Sequence, residues 1–470
     1  MLRIQVLHLR RAQPMDKFKR IEFDDKPLLE AYIRPCRLRS CNLSLAHLLT
    51  WPAYASVEWA VIDSFLVIRI TEEGSDEPYL LQPVGEGDYT ELLPTLEATM
   101  RHECGAPLRL RLFGEQPCDL RALGYALYEE RAEAEYIYAT EDLRTLPGRK
   151  YQAKRNHLSN FCAAYDYRYE PLAPHHFEEC LTLDARWRAA HAADSHTPFM
   201  RHDRLATEAA FASWERLGLQ GGALYADGQL AAFTYGAPIN HDTFDIIMEK
   251  GDTSYNGVFA AINKFFAADI ECRYINREED MGLEGLRRSK RSYNPTTILP
   301  VSHALRLDER MAGCRELWRE VFGDELSCID QFLINHYQGE NMLSVEEQGR
   351  LLSMLHIVPF ECNGARIGYI YAVATTPSAR RRGYATRLLH EAIDYARHNG
   401  YDALALIPAD EGLRDYYARF GFEGAQTAYF ASADNFDFGT GEAEHDKLAI
   451  LPLSDALKKI EQQELLLLKR

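Results

Sequence analysis

The sequence lacks any apolar run that could cross a bilayer, and it lacks cysteine or histidine clusters with the spacing of zinc ligands. Its densest aliphatic run, Leu465 to Leu468, is far shorter than the ~20 residues of a membrane span. The ten cysteines include no C-x-x-C pair, a scatter that is typical of buried thiols in a reducing compartment. The first residues do not lead into the apolar core of a secretory signal. We therefore expect a cytoplasmic protein with no transmembrane segment and no bound metal.

The sequence also has fewer basic than acidic residues, 53 against 70. The chain of 470 residues carries a formal net charge of −17, and such an acidic chain repels nucleic acid unless a local basic patch offsets the repulsion. Hydrophobic residues make up 46% and charged residues 26%, which is the range of a globular protein with a buried core. The length allows two or three domains of ordinary size.

One order of elements recurs three times along the chain: strand, turn, strand, loop, helix, strand. In the last and clearest copy, Asn363-Gly364 marks a hairpin turn, because these residues readily take the positive φ angles of a type I′ turn. The strand Arg366 to Thr375 then leads through a basic loop into a helix from about Gly383 to His398, whose apolar residues recur at helical spacing. A further strand, Ala403 to Ile407, closes the copy.

The two earlier copies follow the same order with different loops. In the middle copy the loop Gly251 to Gly257 opens a helix that runs to about Ala268. In the first copy the loop Val84 to Gly87 precedes a helix from about Tyr89 to Glu103. We predict an α/β fold with mixed sheets, divided into units of residues 1–145, 146–300 and 301–470. The alternative is that any mixed α/β chain yields hairpins and helices in this order.

The loop of the last copy has the composition of an anion cradle. It lies at the start of a helix, where several backbone N–H groups lack helical partners and the helix dipole is positive. Small residues let the backbone approach a bulky anion, and arginines add charge. The residues concerned are Arg380, Arg381, Arg382, Gly383, Ala385 and Thr386. The alternative is an arginine-rich helix cap that is merely solvated.

Residues of about 305 to 452 resemble the GNAT acetyltransferase superfamily. Arg380-x-x-Gly383-x-Ala385 matches its pyrophosphate motif, R/Q-x-x-G-x-G/A. Val373 and Thr375 lie where the family's splayed strand hydrogen-bonds the pantetheine of the cofactor. The resemblance implies acetyl-CoA, or another acyl-CoA, as the donor, and an amine on a small molecule or peptide as the acceptor.

The segment Tyr416 to Phe422 is similar to the family's Y-x-x-x-G-F segment, which aligns Tyr417 with the usual general acid. A positioned phenol can protonate the thiolate that leaves when an amine attacks a thioester. The alternatives are that Tyr417 is an aromatic residue packed beneath the helix, or that the neighbouring Tyr416 is the acid. The family often has an asparagine where this chain has Asp410, and the strand of residues 369–375 carries no acidic base. His356 and Glu346 on the preceding strands are the candidate bases, beside a chain of water molecules.

Residues of about 1 to 300 resemble a bacterial domain of unknown function related to the C-terminal catalytic domain of phosphatidylglycerol lysyltransferases. The matching segments run from Lys150 to His157 and from Tyr274 to Lys290. That family is built from two tandem GNAT-like folds, so the resemblance implies three such acyltransferase folds in the whole chain. Its relatives pass aminoacyl groups from tRNA to lipid or peptidoglycan acceptors.

Neither N-terminal loop carries the arginine cradle, so a donor other than CoA is expected there. The basic and polar residues of the two matching segments form a second candidate site that could contact a tRNA end or a lipid headgroup. They are Lys154, Arg155, Asn276, Arg277, Glu278, Asp280 and Lys290. The alternative is ordinary solvated surface chemistry near helix ends and turns.

Three hypotheses about function follow. The first is acetyl transfer from acetyl-CoA to an amine by direct attack in the last unit. The second is an aminoacyl-tRNA-dependent transferase in residues 1–300 with a lipid or peptide acceptor. The third is a non-catalytic scaffold that binds a ligand without turnover.

Overall fold

A computed structural model describes residues 18–53, 55–190, 197–431, 436–439, 447–454 and 464–469. The chain divides into two compact units. The first comprises Met1–Asp119 and Glu129–His303, and the second comprises Leu120–Tyr128 and Ala304–Arg470. The boundary predicted near residue 145 lies inside the first unit, and the three-domain division stays a prediction. Among the described residues, no helix is both long and apolar enough to cross a membrane.

The strands of the described residues are numbered in chain order. They are β1 Lys19–Arg20, β2 Ala55–Ile62, β3 Phe65–Glu72, β4 Tyr79–Leu81, β5 Val84–Gly85, β6 Arg109–Phe113, β7 Tyr125–Glu129, β8 Glu135–Ala139, β9 Tyr167–Pro171, β10 Gln220–Ala226, β11 Gln229–Pro238, β12 Thr243–Gly251, β13 Tyr274–Asn276, β14 Thr297–Leu299, β15 Val301–Arg306, β16 Met342–Glu347, β17 Arg350–Cys362, β18 Ala365–Thr375, β19 Ala403–Leu406, β20 Glu423–Ala431, β21 Lys447–Pro452 and β22 Glu464–Leu468.

The α-helices of the same residues are numbered likewise. They are α1 Lys26–Ile33, α2 Leu45–Thr50, α3 Tyr89–Cys104, α4 Thr140–Thr145, α5 Gln152–Ala164, α6 Phe177–Ala190, α7 Thr197–Ala212, α8 Trp214–Leu217, α9 Val258–Asp269, α10 Glu284–Arg291, α11 Glu309–Phe322, α12 Leu326–Asn335, α13 Tyr384–His398 and α14 Glu411–Ala418.

The fold is mixed α/β, with three sheets that each combine parallel and antiparallel pairs. In the first unit, one sheet has the order β1-β2-β3-β4-β6 with β5 on β3, and another has the order β14-β8-β13-β12-β11-β10-β9. The second unit holds the sheet β16-β17-β18-β19-β21-β20-β22, and β7 lies beside β15. The mixed-sheet architecture expected from the sequence is therefore confirmed.

Each sheet contains one strand–helix–strand crossover that joins parallel neighbours. The pairs are β4 with β6 through α3, β12 with β13 through α9, and β18 with β19 through α13. A parallel pair needs such a crossover, because a tight turn reverses the chain direction. These crossovers are the three copies of the order seen in the sequence, and each places a loop before its helix at the end of a strand.

Candidate functional sites

The centre of the second unit is a cleft where β18 and β19 separate. The two strands pair in parallel only from Ile367 to Tyr369, against Ala403 to Ala405. Beyond that point a cavity of about 280 Å³ opens between them. Its walls are mainly aromatic and aliphatic: Trp318, Phe322, Asp324, Tyr369, Ile370, Tyr371, Ala372, Val373, Leu406, Ile407, Ala409, Leu413, Tyr417, Phe438 and Gly439.

A β-bulge changes the direction of the β18 backbone beside this cleft. Met354 of β17 pairs with Ala374 and His356 pairs with Tyr371, so two residues of β18 face one residue of β17. Ala372 has a φ of 50°, a left-handed conformation that is unusual for a residue with a side chain. A bulge leaves backbone groups outside the regular ladder, next to a cavity they can serve. Of the two residues predicted to contact the cofactor, Val373 lines this cavity, whereas the Thr375 hydroxyl lies 2.9 Å from that of Ser353.

The basic loop follows β18 and ends at the start of α13. The three consecutive arginines are exposed, and Arg381 has a φ of 63°. Two of these arginines hydrogen-bond to the backbone just before them. The Arg380 guanidinium donates to Thr375 O at 3.4 Å, and that of Arg382 donates to Ser378 O at 3.3 Å. The candidate residues from Arg380 to Thr386 therefore lie together around one helix N-terminus.

Gly383 caps this helix with an open space in front of it. Its φ is 83°, and a Cβ added there would meet no atom within 4 Å. The first helical bond runs from Arg387 N to Gly383 O, so the N–H groups of the three preceding helical residues have no partner one turn back. Thr386 carries its hydroxyl 3.0 Å from that of Tyr416. An exposed helix start with arginines beside it can receive a pyrophosphate.

The corresponding helix starts of the first unit are closed to an anion. Gly257 caps α9 with a φ of 89°, but a Cβ there would lie 2.4 Å from the carbonyl oxygen of His157. That carbonyl occupies the space in front of the helix with negative partial charge. At α3, Asp88 caps the helix with its own carboxylate, which accepts from Thr90 N at 2.8 Å. Of the three crossover helices, only α13 combines an open start with adjacent cations.

Tyr417 lies on α14 and forms part of the wall of the cleft. It is 7% exposed and packs in the same hydrophobic cluster as the buried face of α13. Burial raises the pKa of its phenol to about 12, with a smaller contribution from the neighbouring Tyr416. The phenol thus keeps its proton throughout the neutral range. Asp410 caps α14, where its carboxylate accepts from Leu413 N at 2.7 Å.

The two candidate bases lie in unlike surroundings, and neither lines the cleft. His356 is buried beneath Phe332, and its Nε2 lies 3.4 Å from Sγ of Cys314. Burial lowers the pKa of His356 to about 3, with a smaller contribution from Arg310. Glu346 is exposed on β16 and accepts from the Ser344 hydroxyl at 3.4 Å. The environment of His356 is that of a neutral packed side chain.

Asp324 is a polar residue of the cleft that sequence reasoning missed. It lies in the loop between α11 and α12, and Nε1 of Trp318 donates to its Oδ2 at 2.8 Å. The pKa of the facing Tyr371 is raised by burial and then by the charges of Asp324 and Asp437. No motif marks Asp324, because a single acidic residue after a Gly at a helix end is common. Only the fold brings it to the aromatic end of the cleft.

The second candidate site gathers in the first unit around the turn that follows β13. Asn276 is fully buried: its amide donates to Arg39 O at 2.8 Å and to the Glu135 carboxylate, and its Oδ1 accepts from Glu278 N at 2.7 Å. Burial lowers the pKa of Lys290, whose ammonium donates to the carbonyl oxygens of Arg277 and Glu279. The predicted polar cluster is thus largely interior rather than solvated.

The other predicted members of this site make internal contacts. Arg277 pairs with Glu249 at 2.8 Å, and Asp280 is buried between Arg287 and Arg131. Arg155 donates to the carbonyl oxygens of Leu146 and Gly148. Lys154 lies 3.7 Å from the ring centre of Tyr293, and its pKa falls to about 8 through burial and the nearby charge of Arg277. Lys154 and Arg277 therefore both contact the ring of Tyr293, and Arg155 holds the loop from Leu146 to Gly148.

A cavity of about 450 Å³ lies beside this turn, within the first unit. Glu278 and Glu279 line it, together with His47 of α2. His47 Nε2 lies 2.8 Å from Oε1 of Glu278 and 3.3 Å from Oδ2 of the fully buried Asp245. His47 and Asp245 carry no sequence motif, and they lie far from Glu278 along the chain. Their convergence could not be predicted from spacing.

Two family comparisons agree with this division of the chain. Residues 305–425 match an acetyltransferase domain of the GNAT superfamily, which makes the second unit a member of an acyltransferase superfamily. Residues 34–304, more than half of the chain, match the C-terminal domain of phosphatidylglycerol lysyltransferase. The chain belongs to this phosphatidylglycerol lysyltransferase C-terminal family and carries a GNAT domain after it. Both resemblances drawn from the sequence are thereby confirmed.

The chain is similar to several solved structures. A conserved protein of unknown function from Bacteroides thetaiotaomicron is 39% identical, with a TM-score of 0.58 over 62% of this chain and 99% of its own. L-PGS from Bacillus licheniformis is 14% identical with a TM-score of 0.42, over 60% of this chain and 91% of its own. A GNAT family N-acetyltransferase from Escherichia coli, in complex with CoA, is 17% identical with a TM-score of 0.27, over 35% of this chain and 86% of its own. No curated protein matches the chain.

Proposed function

We propose that the second unit transfers an acetyl group, or another short acyl group, from acyl-CoA to an amine. The observation that carries this proposal is the open, glycine-capped start of α13 beside three exposed arginines. That arrangement suits a pyrophosphate, since N–H donors, helix dipole and guanidinium charge converge on one space. The adjacent cleft, with Val373 on a bulged strand, suits an extended pantetheine arm.

The reaction class needs few protein groups. The amine nitrogen attacks the thioester carbonyl carbon, a C–N bond forms, the C–S bond breaks, and the sulfur leaves as a thiolate. Tyr417 lines the cleft and holds a proton that it can offer to this sulfur. A free thiol has a pKa of ~8.5, well below that of this phenol, so the phenol stabilises the thiolate chiefly as a hydrogen-bond donor. An acceptor bound as an ammonium ion loses one proton to water before it attacks, and its nitrogen loses a second proton to water once the C–N bond has formed.

The acceptor end of the cleft favours an amine with an apolar body. Trp318, Phe322 and Tyr371 form an aromatic wall, and Asp324 supplies a negative charge at its edge. A carboxylate beside aromatic faces attracts an ammonium group and packs against the carbon skeleton that carries it. Asp324 is therefore assigned to binding the acceptor.

Calorimetry with CoA tests the donor site, with a matched pair of glycine variants. Gly383→Glu places a carboxylate in the cradle and should weaken CoA binding at least ~100-fold, because charge-assisted hydrogen bonds of ~1.5–3 kcal/mol each are lost. Gly364→Glu is the control: its φ is 81° and its Cβ would also meet open space, but it lies in the β17–β18 hairpin. Equal affinity for wild type and Gly383→Glu, or no binding by wild type, would contradict the proposal.

A second candidate function belongs to the first unit. We propose that residues 1–300 bind an aminoacyl-tRNA and pass its aminoacyl group to a lipid or peptide acceptor. Family membership supports this proposal, as does a cavity lined by carboxylates that could receive a cationic aminoacyl group. Lys154, half-buried on Tyr293 with a pKa near 8, is the predicted contact for phosphate.

Binding of charged tRNA at several salt concentrations tests this second candidate. The affinity should fall with salt, and Lys154→Ala should reduce the slope of log affinity against log salt by ~1. Lys264→Ala, which changes a lysine of α9, is the control for a general loss of positive charge. A slope that is the same in wild type and Lys154→Ala would remove Lys154 from the tRNA contact.

A further inference from the structure

His47, Asp245 and Glu278 form a compact group with the geometry of a metal centre, independent of the proposed acyl transfer in the second unit. One ligand atom from each residue lies within 4.8 Å of the others. His47 comes from α2, Asp245 from near the start of β12, and Glu278 from the turn after β13. Three separate elements of the first unit thus bring an imidazole and two carboxylates to one point.

The interatomic distances fit a small divalent cation. Two ligands of a tetrahedral zinc ion with bonds of about 2.0–2.2 Å lie about 3.3–3.6 Å apart. The separation of His47 Nε2 from Asp245 Oδ2 is 3.3 Å, which is that of two such ligands. His47 Nε2 and Glu278 Oε1 are 2.8 Å apart, so Glu278 would withdraw by about 0.5 Å to reach this spacing. The partly exposed glutamate side chain has the freedom to do so.

Asp245 has His47 as an ionic neighbour at 3.3 Å but lacks hydrogen bonds of good geometry among the described residues. Its side chain is fully buried, and this lack holds for both Oδ1 and Oδ2. The buried hydroxyl of Ser44 is in the same condition. A buried carboxylate costs several kcal/mol unless it is paired or bound to a metal. The group therefore holds acceptor atoms that a cation would satisfy.

The backbone around Glu278 is held in an unusual conformation that turns its carboxylate toward His47. Glu278 has a φ of 56°, and its N–H donates to the side chain of Asn276 at 2.7 Å. Asn276 is fixed in turn by the Glu135 carboxylate and by the carbonyl oxygen of Arg39. A left-handed conformation with a side chain costs of order 1–3 kcal/mol and tends to persist at functional sites. Asn276 thereby acts as a positioning residue for Glu278.

The adjacent cavity gives the group access and a favourable potential. His47 and Glu278 line the cavity of about 450 Å³ and present their ligand atoms to it. Carboxylates outnumber permanent cations in the lining, where Glu72, Glu73, Glu133, Glu278 and Glu279 lie with Arg111. Such a surface concentrates cations. A divalent ion with two carboxylates and a neutral imidazole is an uncharged unit, which is the arrangement least costly to bury.

We propose that His47, Asp245 and Glu278 bind a divalent transition-metal ion of the Zn²⁺ class at the floor of this cavity. One imidazole nitrogen and two carboxylate oxygens form a three-ligand set of the kind that leaves a fourth position open. The open position faces the cavity, where water or an oxygen atom of a bound molecule can occupy it. The ion acts there as a Lewis acid toward a carbonyl or phosphoryl oxygen.

Metal binding to the full chain tests this proposal directly. Protein freed of metal with a chelator is titrated with Zn²⁺ by calorimetry, and Co²⁺ is added separately because its visible absorption reports coordination. Wild type should bind about one ion per chain in this group. Asp245→Asn keeps the shape of the side chain and should weaken Zn²⁺ binding more than ~100-fold, as should His47→Ala.

A second His/carboxylate group provides the matched control. Glu170, His175 and His176 also lie within metal-ligand reach of one another, but His175 is exposed and, unlike Asp245, none of the three has a buried side-chain atom without a hydrogen bond among the described residues. His175→Ala should leave Zn²⁺ affinity and the Co²⁺ spectrum unchanged. Absence of binding by wild type, full binding by folded Asp245→Asn, or loss of binding in His175→Ala would overturn the assignment. If Asp245→Asn does not fold, Glu278→Gln is measured instead, and full binding by that folded variant would equally overturn it.

Discussion

Replacing Tyr417 with phenylalanine isolates the role of one hydroxyl group at the proposed acyl-transfer site. The phenol lines the cleft, is 7% exposed, and has a pKa raised to about 12 by burial. Because a thiol has a pKa of ~8.5, full proton transfer from this phenol to the thiolate is uphill, and the main benefit is a hydrogen bond to the developing charge. A bond of this kind is worth ~1.5–3 kcal/mol, so kcat should fall ~10- to 150-fold.

The same variant should change little else. Phenylalanine preserves the packing of α14, so the free energy of unfolding should shift by no more than ~1 kcal/mol. CoA affinity, measured by calorimetry, should stay within about twofold, because the contribution appears only as charge develops on sulfur. Turnover is followed as thiol release from acetyl-CoA with a panel of amines that have apolar bodies.

Tyr401→Phe provides the matched control. Tyr401 is 3% exposed and packs in the same hydrophobic cluster, but it does not line the cleft. Loss of the Tyr401 hydroxyl in this variant should leave kcat unchanged. The reasoning fails if Tyr417→Phe turns over like wild type, or if turnover and CoA affinity fall by the same factor, since the latter would make Tyr417 a structural residue.

Three further predictions concern other groups of the molecule. The pKa of Tyr417 is about 12, so the rate should not fall through loss of the Tyr417 proton as the pH rises from 7 to ~10. A fall in rate with a midpoint inside that range would mean that another group is the acid. Asp324→Asn should raise KM for the amine ~10-fold with kcat little changed, and a reversed pattern would make Asp324 a catalytic group. Asp280→Asn removes a buried charge from between Arg287 and Arg131 and should cost ~2–3 kcal/mol in the free energy of unfolding at pH 7, since a pKa unit corresponds to ~1.4 kcal/mol. Because the pKa of Asp280 is lowered from 3.8 to about 2, its stabilisation is lost as the pH falls through that interval, so urea unfolding of wild type and variant should converge there.

Local features of the chain predicted much of the fold and the position of the basic loop before α13. Asn363 and Gly364 take φ angles of 49° and 81°, as a tight hairpin turn requires. The order strand, loop, helix, strand predicted each crossover, because hydrophobic period and turn residues act over short distances. Arg380 to Thr386 are contiguous, so their convergence at one helix start needs no knowledge of tertiary structure.

Features that depend on distant contacts could not be predicted in this way. The sequence distinguishes the start of α9 from that of α13 only by charge, whereas the structure adds that the His157 carbonyl fills the space before Gly257. The bulge at Ala372 arises from pairing with β17 and has no glycine to mark it. His47 and Asp245 gain their meaning only when α2 and β12 meet, which no spacing rule describes.

A crystal structure of the full chain grown with acetyl-CoA tests the central claim most directly. The account predicts pyrophosphate density at the start of α13, against the backbone from Gly383 to Thr386, with the thioester in the cleft beside Tyr417. Density for the donor in the cavity of the first unit beside His47, with the start of α13 empty, would contradict it.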